Sequence, residues 1–300
     1  MKKKTYIFAL MAMALTLGSC SDNENGIGGE TSKYITVSTS IGNMTRVATD
    51  ANGGQTFEEG DEISVYAWTG DATVAPETRE RVVNNAINKL TNGSWVSTPQ
   101  MLWKNNRDKH YFIGVYPISA ISDLSAGEYT FDVTKQVESD LLVAVNADGL
   151  SYNADEQQTV PLTFTHVMAK LVVNLTYKNQ WGGIPTVEKV VVGNAAKEAT
   201  INYLTKVVTP STTAKEDFSL PEITENTKYV SVIIPQEEVK QLTIVIGGKN
   251  FVYDNGTPFK LESGKITTVN LEVGRDEIKL GDVKITDWEN GSTFSGEAIN

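Results

Sequence analysis

The sequence predicts an all-β protein built as β-sandwiches, in two domains in tandem. Three observations predict it. Apolar residues recur with period two along most of the chain, Gly- and Asn-rich turns break these runs at short intervals, and helical spacing occurs in one short stretch only. Many short strands joined by such turns favour sandwiches, because parallel sheets need intervening helices.

The first segment is read as an export signal. Lys2, Lys3 and Lys4 form a basic start, residues 6–17 form an apolar run, and Leu17-Gly18-Ser19-Cys20 closes it as a lipobox. Small side chains admit the signal peptidase, and the thiol carries the diacylglycerol. The run is shorter than the roughly 20 apolar residues of a membrane-spanning helix. Residues 1–19 are therefore expected to be removed and Cys20 to be lipidated. Cys20 is the only cysteine. Once lipidated it leaves no thiol for a disulfide, a thiolate metal site or a nucleophile, so the mature chain must be held by its core. Residues 20–33 are polar, acidic and glycine-rich, as in a flexible tether.

The N-terminal sandwich is placed at 34–158. Ile35, Val37, Thr39 and Ile41 alternate with polar partners. Ile63, Val65 and Ala67 form one face of the next strand, with Tyr66 and Trp68 on the other. Tyr111, Ile113 and Val115 repeat the pattern. Residues 141–145 form a continuous apolar run, expected of a strand covered on both faces. Residues 77–90 alone carry helical spacing, through Val82, Val83, Ala86 and Leu90.

The C-terminal sandwich is placed at 159–300, behind the polar loop 151–159. Val160, Leu162 and Phe164 are apolar at even positions, whereas Val167, Ala169, Leu171, Val173, Leu175 and Tyr177 are apolar at odd ones. A strand cannot change phase by one residue without a bulge or bend, so the chain is read as leaving one sandwich for another here. Further strands are expected at 187–193, 229–234, 242–246, 250–253 and 265–273, and residues 205–219 read as a polar connection.

Composition narrows the function. Lys and Arg total 26 against 37 Asp and Glu, a net charge of −11; three of the lysines lie in residues 1–19, so the mature chain carries −14. Nucleic acid and electrostatic membrane binding are excluded as partners, and the acyl chains are left as the link to the membrane. His110 and His166 stand far apart in predicted strands, with no His-x-x-x-His or Cys-x-x-Cys spacing, so no metal site is assigned. No serine elbow, phosphate loop or dinucleotide fingerprint occurs, and Gly247-Gly248-Lys249-Asn250 reads as a hairpin turn. Glu58, Glu59, Asp61 and Glu62 are dense enough to suggest a glycosidase pair, but their place before a strand reads as a solvated turn. Asp50-Ala51-Asn52-Gly53 offers too few ligands for calcium. The chain is read as non-enzymatic, without catalytic residues, cofactor or metal.

Three stretches together resemble the fimbrillins, the fimbrial subunits of Bacteroides-type bacteria. The first is Phe57-Glu58-Glu59-Gly60-Asp61-Glu62-Ile63-Ser64-Val65. The second is Asp140-Leu141-Leu142-Val143-Ala144, followed by Leu162-Thr163-Phe164-Thr165-His166 and Ala169-Lys170-Leu171. The third is Val269-Asn270-Leu271 with Val283-Lys284-Ile285-Thr286-Asp287-Trp288. The resemblance implies two transthyretin-like Greek-key sandwiches, export as a lipoprotein, cleavage after an arginine behind the first strand, and polymerisation by strand exchange. Arg46 matches that arginine, and it precedes a Gly/Asn-rich loop of the kind proteases cut. Asp22 and Glu24 behind the lipidated cysteine resemble the acidic export signal of surface lipoproteins in these bacteria, and equally an ordinary polar linker.

The function expected on these grounds is a structural or tip pilin of a fimbrium, acting in adhesion. Its partners would be other fimbrial subunits, the outer membrane through the lipid on Cys20, and a host or bacterial surface ligand. Residues 278–288 are the candidate donor strand: Ile278 and Leu280 alternate, Gly281-Asp282 permits a bend, and Val283 and Ile285 alternate up to Trp288. The competing reading is a lipid-anchored surface module that binds a glycan or host ligand without polymerising, with Trp95, Trp103 and Trp181 as a sugar platform.

Overall fold

The computed structural model describes residues 33–42, 56–156 and 158–288. The signal segment, Cys20, the tether up to residue 32, and Arg46 lie outside the described residues. In chain order the first strands are β1 (Thr36–Ile41), β2 (Glu62–Thr69), β3 (Val83–Thr91), β4 (Ser94–Thr98), β5 (His110–Tyr116), β6 (Gly127–Thr130), β7 (Leu142–Leu150) and β8 (Thr159–His166). There follow β9 (Ala169–Tyr177), β10 (Val187–Ala196), β11 (Glu198–Asn202), β12 (Val207–Pro210), β13 (Lys215–Ser219) and β14 (Glu222–Thr224). The last are β15 (Lys228–Ile233), β16 (Gln241–Ile246), β17 (Lys249–Asp254), β18 (Lys265–Val273) and β19 (Ile278–Asp287).

The protein is all-β. A seven-stranded sheet runs in the order β1-β8-β7-β5-β2-β3-β4. Both of its faces are apolar, which explains the uninterrupted hydrophobic runs. Ile63, Val65, Ala67, Phe112, Leu142 and Ala144 point into one core together with the buried residues of β1 and β8. Tyr66, Trp68, Ile113, Val115 and Val143 point into a second core, which is shared with the rest of the chain. That second core lies between two further sheets, β13-β10-β16-β17 and β14-β15-β9-β18-β19.

The phase change after Phe164 coincides with the passage between sheets. β8 pairs with β1 and β7, and the chain turns at Val167-Met168 into β9 of the next sheet. β8 thus belongs with the first sheet, although a boundary at 158 would assign it to the second half. The halves are also stitched by backbone. β6 pairs with β11, Phe131 N–H donates to Lys197 O (2.8 Å) and Tyr203 N–H donates to Leu124 O (2.8 Å). Gly127 permits this crossing, because a Cβ there would lie 2.3 Å from Cε2 of Tyr203.

Elsewhere two expectations are corrected. Residues 77–90, with their helical spacing, form a single 3-10 turn at Thr78–Glu80 and then strand β3. The pairing of β3 between β2 and β4 outweighs a weak local pattern. Residues 205–219 contain β12 and β13, edge strands of four and five residues, too short to give a clear periodicity. The hairpin read at Gly247 and Gly248 joins β16 to β17, with Lys249 and Asn250 already in β17, and Asn92 and Gly93 join β3 to β4 likewise, all four turn residues having positive φ.

His110 begins β5 fully buried. Its Nε2 accepts from Lys104 N–H (3.1 Å), so Nδ1 carries the proton and donates to Asp108 O (3.1 Å). The indole of Trp103 meets the ring edge-on at 5.0 Å. Burial pushes the imidazole below its ordinary value of 6.5. The unfolded chain therefore takes up a proton that the folded chain resists, and stability is full above about pH 6.5 and falls as the pH drops below it. The melting temperature is expected to fall between about pH 7.5 and 5.5, and to fall less in His110→Asn. Thermal denaturation of both proteins at the two pH values checks this, and equal slopes would remove His110 as the cause.

Candidate functional site

The first element of the site is β1, held at the edge of the seven-stranded sheet. It pairs in parallel with β8 from Thr36↔Thr159 to Ile41↔Phe164. On its other side the start of the strand reaches across the sheet. Ile35 N–H donates to Met101 O (2.9 Å), and Trp103 N–H donates to Lys33 O (3.2 Å). The sheet is thus curled until its two ends nearly meet, with β1 as the piece that closes it. Ile35, Val37 and Ile41 are buried against Val160, Leu162 and Phe164 of β8 and the core beneath. Further along, the indole N–H of Trp95 spans the seam, donating to Thr39 Oγ1 (3.0 Å). There a groove of about 550 Å³ lies open between β1 and Leu90, Gly93 and Trp95.

The second element is β19, the outermost strand beside β18. Its sequence slips phase at Gly281, and the ladder shows why. Leu271 faces Leu280 and Asn270 faces Asp282, leaving Gly281 unpaired as a bulge. The extra residue returns Val283 and Ile285 to the same face as Ile278 and Leu280. That face is the inner one, since the partners Val273, Leu271, Val269 and Thr267 are all buried. Yet Leu280, Val283 and Ile285 are 37%, 39% and 38% exposed. The strand overhangs its core and presents a row of aliphatic side chains to solvent. On the outer face, Asn174 Nδ2 donates to Asn270 Oδ1 (2.7 Å) and Asn270 Nδ2 donates to Asp282 Oδ1 (2.5 Å), a polar ladder across three strands.

Both ends of β19 are pinned. Ile278 and Trp288 pack on the shared core. Before β19, Gly274 N–H donates to Glu277 O (2.7 Å), and Lys178 pairs with Glu277, whose carboxyl it holds below the usual range. After it, Trp288 N–H donates to Gly264 O (2.9 Å), and the indole stacks on His166 with centroids 4.0 Å apart and planes 7° from parallel. His166 Nδ1 lies 2.9 Å from Asp140 Oδ1 in a buried pair, and the Lys170 ammonium lies 5.2 Å from the Trp288 ring centre. Burial lowers the Lys170 pKa, and Asp140 opposes that. Residues 278–288 therefore fold back as an edge strand, with Trp288 the most tightly held of them.

The other candidates come apart. Trp103 is buried against His110, Phe112 and Tyr152. Trp95 packs edge-on to Phe57 at 5.3 Å, and Trp181 meets Phe251 and donates to Val273 O (3.0 Å). The three indoles serve separate packing sites and share no platform. The acids at 58–62 are occupied locally. Asp61 accepts from Glu58 N–H (2.7 Å), Glu59 accepts from Asn92 N–H (2.7 Å), and Glu62 pairs with Lys89 (3.1 Å). Among the described residues no three His, Cys, Asp or Glu side chains group to hold a metal, and no helix is long and apolar enough to cross a membrane.

Comparison with known proteins bears on the same strands. The fimbrillin-like family matches residues 45–288, most of the chain. The chain belongs to this family. A relative from Bacteroides uniformis named as a fimbrium subunit is 25% identical over 99% of this fimbrillin-like chain and 100% of its own length. A crystal structure described as that of a cell adhesion protein from Bacteroides uniformis superposes with a TM-score of 0.63 at 20% identity, covering 87% of this chain and 98% of that one. One so described from Bacteroides ovatus gives 0.61 at 18% identity, covering 85% and 98%. These structures share the fold.

The overhang of β19 has a direct energetic consequence. Leu271→Ala, in the buried partner, is expected to cost about 2–5 kcal/mol, whereas Leu280→Ala directly opposite is expected to cost under about 1 kcal/mol. Urea denaturation of the two variants checks this. Equal losses would mean that β19 is part of the core.

Proposed function

We propose that this fimbrillin-like chain is a fimbrial subunit, a structural or tip pilin, that is exported as a lipoprotein through Cys20, reaches the surface of the outer membrane, and assembles with other subunits by strand exchange to act in adhesion. One observation carries the reading. The same molecule holds an edge strand seated in an apolar groove, β1, and an overhanging strand whose aliphatic row has the same chemistry, β19. Ile35, Val37, Thr39 and Ile41 fill the groove from one face of β1, while Ile278, Leu280, Val283 and Ile285 line one face of β19.

Cleavage after Arg46 would untether β1. If β1 then leaves, β8 is bared as an edge with unpaired backbone groups above an apolar floor, which strongly favours a replacement strand. The β19 segment of a second subunit supplies one. Its ladder on β18 is exchanged for a ladder on β8, so hydrogen bonding is nearly neutral. The gain comes from the surface that Leu280, Val283 and Ile285 still expose, together with refilling the vacated groove, at about 25 cal/mol per Å² of apolar area. Because groove and donor sit at different places on each subunit, the contact is head-to-tail and propagates.

Trypsin-treated mature protein is expected to form ladders that resist mild detergent. Arg46→Ala and a truncation after Gly274 should both stay monomeric. Ladders persisting in the truncated protein would exclude β19 as donor, and a treated wild type that stays monomeric throughout would favour an anchored binding module instead. Lipidation is tested separately. A clickable fatty acid should label the wild type in its native host and leave Cys20→Ala unlabelled, and equal labelling would reject the anchor.

A further inference from the structure

If β19 is a donor, something must keep it parked on its own sheet beforehand. The donor role is the reading proposed above, and this inference rests on it. The candidates for that restraint are the ladder to β18, the ion pairs near Glu277, and the contacts of Trp288. A ladder to a neighbour is lost and regained in exchange, so it sets no preference. Glu277 sits half-exposed beside Lys178 and Lys279, and such surface pairs contribute little.

Trp288 differs in position and in kind. β19 is covalently fixed at its other end, after Val273, so it swings out about residues 274–277 and Trp288 travels furthest. Ten residues at about 3.3 Å each put it some 33 Å from that hinge. The contact at the far end of a lever has to break before the strand can sweep away. Its partners are also built to hold an aromatic ring. His166 is oriented by Asp140, both are buried, and the ring presents its face at stacking distance. His166 Nε2 is buried without a hydrogen-bond partner among the described residues. Lys170 adds a cation near the indole. His166 ends β8, the strand on which β1 lies, so the contact joins the donor strand of the second half to the acceptor strand of the first.

We propose that Trp288, seated on His166 and Lys170, is a latch that holds β19 closed on its own subunit and sets the rate at which it is released for assembly. An aromatic stack plus a partly buried cation–π contact corresponds to roughly a tenfold to hundredfold shift in the open population.

The test uses the mature wild type, Trp288→Ala and Trp288→Phe. In untreated protein, amide exchange at Lys279, Lys284 and Thr286, which stand at the hydrogen-bonded positions of the ladder to β18, is expected to quicken at least about tenfold in Trp288→Ala, and to stay near wild type in Trp288→Phe. The β9–β15 ladder should be unchanged. After trypsin, ladders should form correspondingly faster in Trp288→Ala. Unchanged exchange in β19 would overturn the latch, as would equal acceleration in β9 and β15, which would make Trp288 a general core residue. Faster exchange with an unchanged ladder rate would also overturn it as a gate on assembly. If no variant forms ladders, the donor role fails, and the exchange data still report whether Trp288 closes the strand.

Discussion

In an all-β chain every sheet has edges, and an edge carries backbone donors and acceptors that must be paired, covered or left to water. The parallel ladder between β1 and β8 is the point on which the rest of this molecule turns. The seven-stranded sheet deals with its edges by curling until the start of β1 reaches Met101 and Trp103 behind β4. β1 closes that sheet with six residues and two buried aliphatic side chains, Val37 and Ile41, joined by buried Ile35 just before it. It is joined to β2 through residues 42–61. The floor beneath it, with Leu162, Phe164 and Ile63, is too apolar to stand open in water.

The opposite end of the chain answers a different constraint. β18 has nine residues of ladder that would be an open edge without β19. β19 covers the backbone of β18 but not its own side chains, because the sheet opposite ends at β17. An edge strand of a stable monomer is usually protected by charge or proline. Here Lys279, Asp282 and Lys284 keep the outer face polar, while the inner face carries aliphatics past the limit of the core. A row of Leu, Val and Ile left over a third exposed costs the monomer solubility, and it is retained on one face by a bulge that restores the alternation.

Much of this was legible in the residues. Period-two patterning located β1, β2, β5, β7 and the main strands of the second half. The phase slip after Phe164 was visible as arithmetic and marks a change of sheet, whereas Gly281-Asp282, read as a bend, holds a bulge within one continuous strand. The failures are as instructive. Val82, Val83, Ala86 and Leu90 imitate a helix because β3 carries a break in register against β2 between Val65 and Ala67, which upsets its alternation. β6 and β12 are four residues each, too short to show a period. The exposure of β19 was not legible at all. Sequence gives the face a side chain occupies, not whether a second layer reaches over it. The stack of Trp288 on His166 was equally out of reach, since the residues stand far apart in sequence and meet only when β8 and β19 end at the same corner.

On the proposed donor role, that corner also reconciles two demands on β19. A strand destined for a neighbour must be replaceable, so its own core cannot hold it by deep burial. A strand left loose would invite pairing with any exposed edge during folding and export, the hazard that edge strands present generally. Holding the middle weakly and the far end firmly satisfies both. The aliphatic row stays available, the backbone stays paired, and the restraint is concentrated in one aromatic contact at the end of the lever. Concentration matters because the nine-pair ladder can open one pair at a time from its free end, and a contact placed at that end is the one that has to break first. The buried Asp140 beneath His166 fits this arrangement. It fixes the ring so that the stacking face exists before Trp288 arrives, and the strand can close again on its own subunit when no acceptor is at hand.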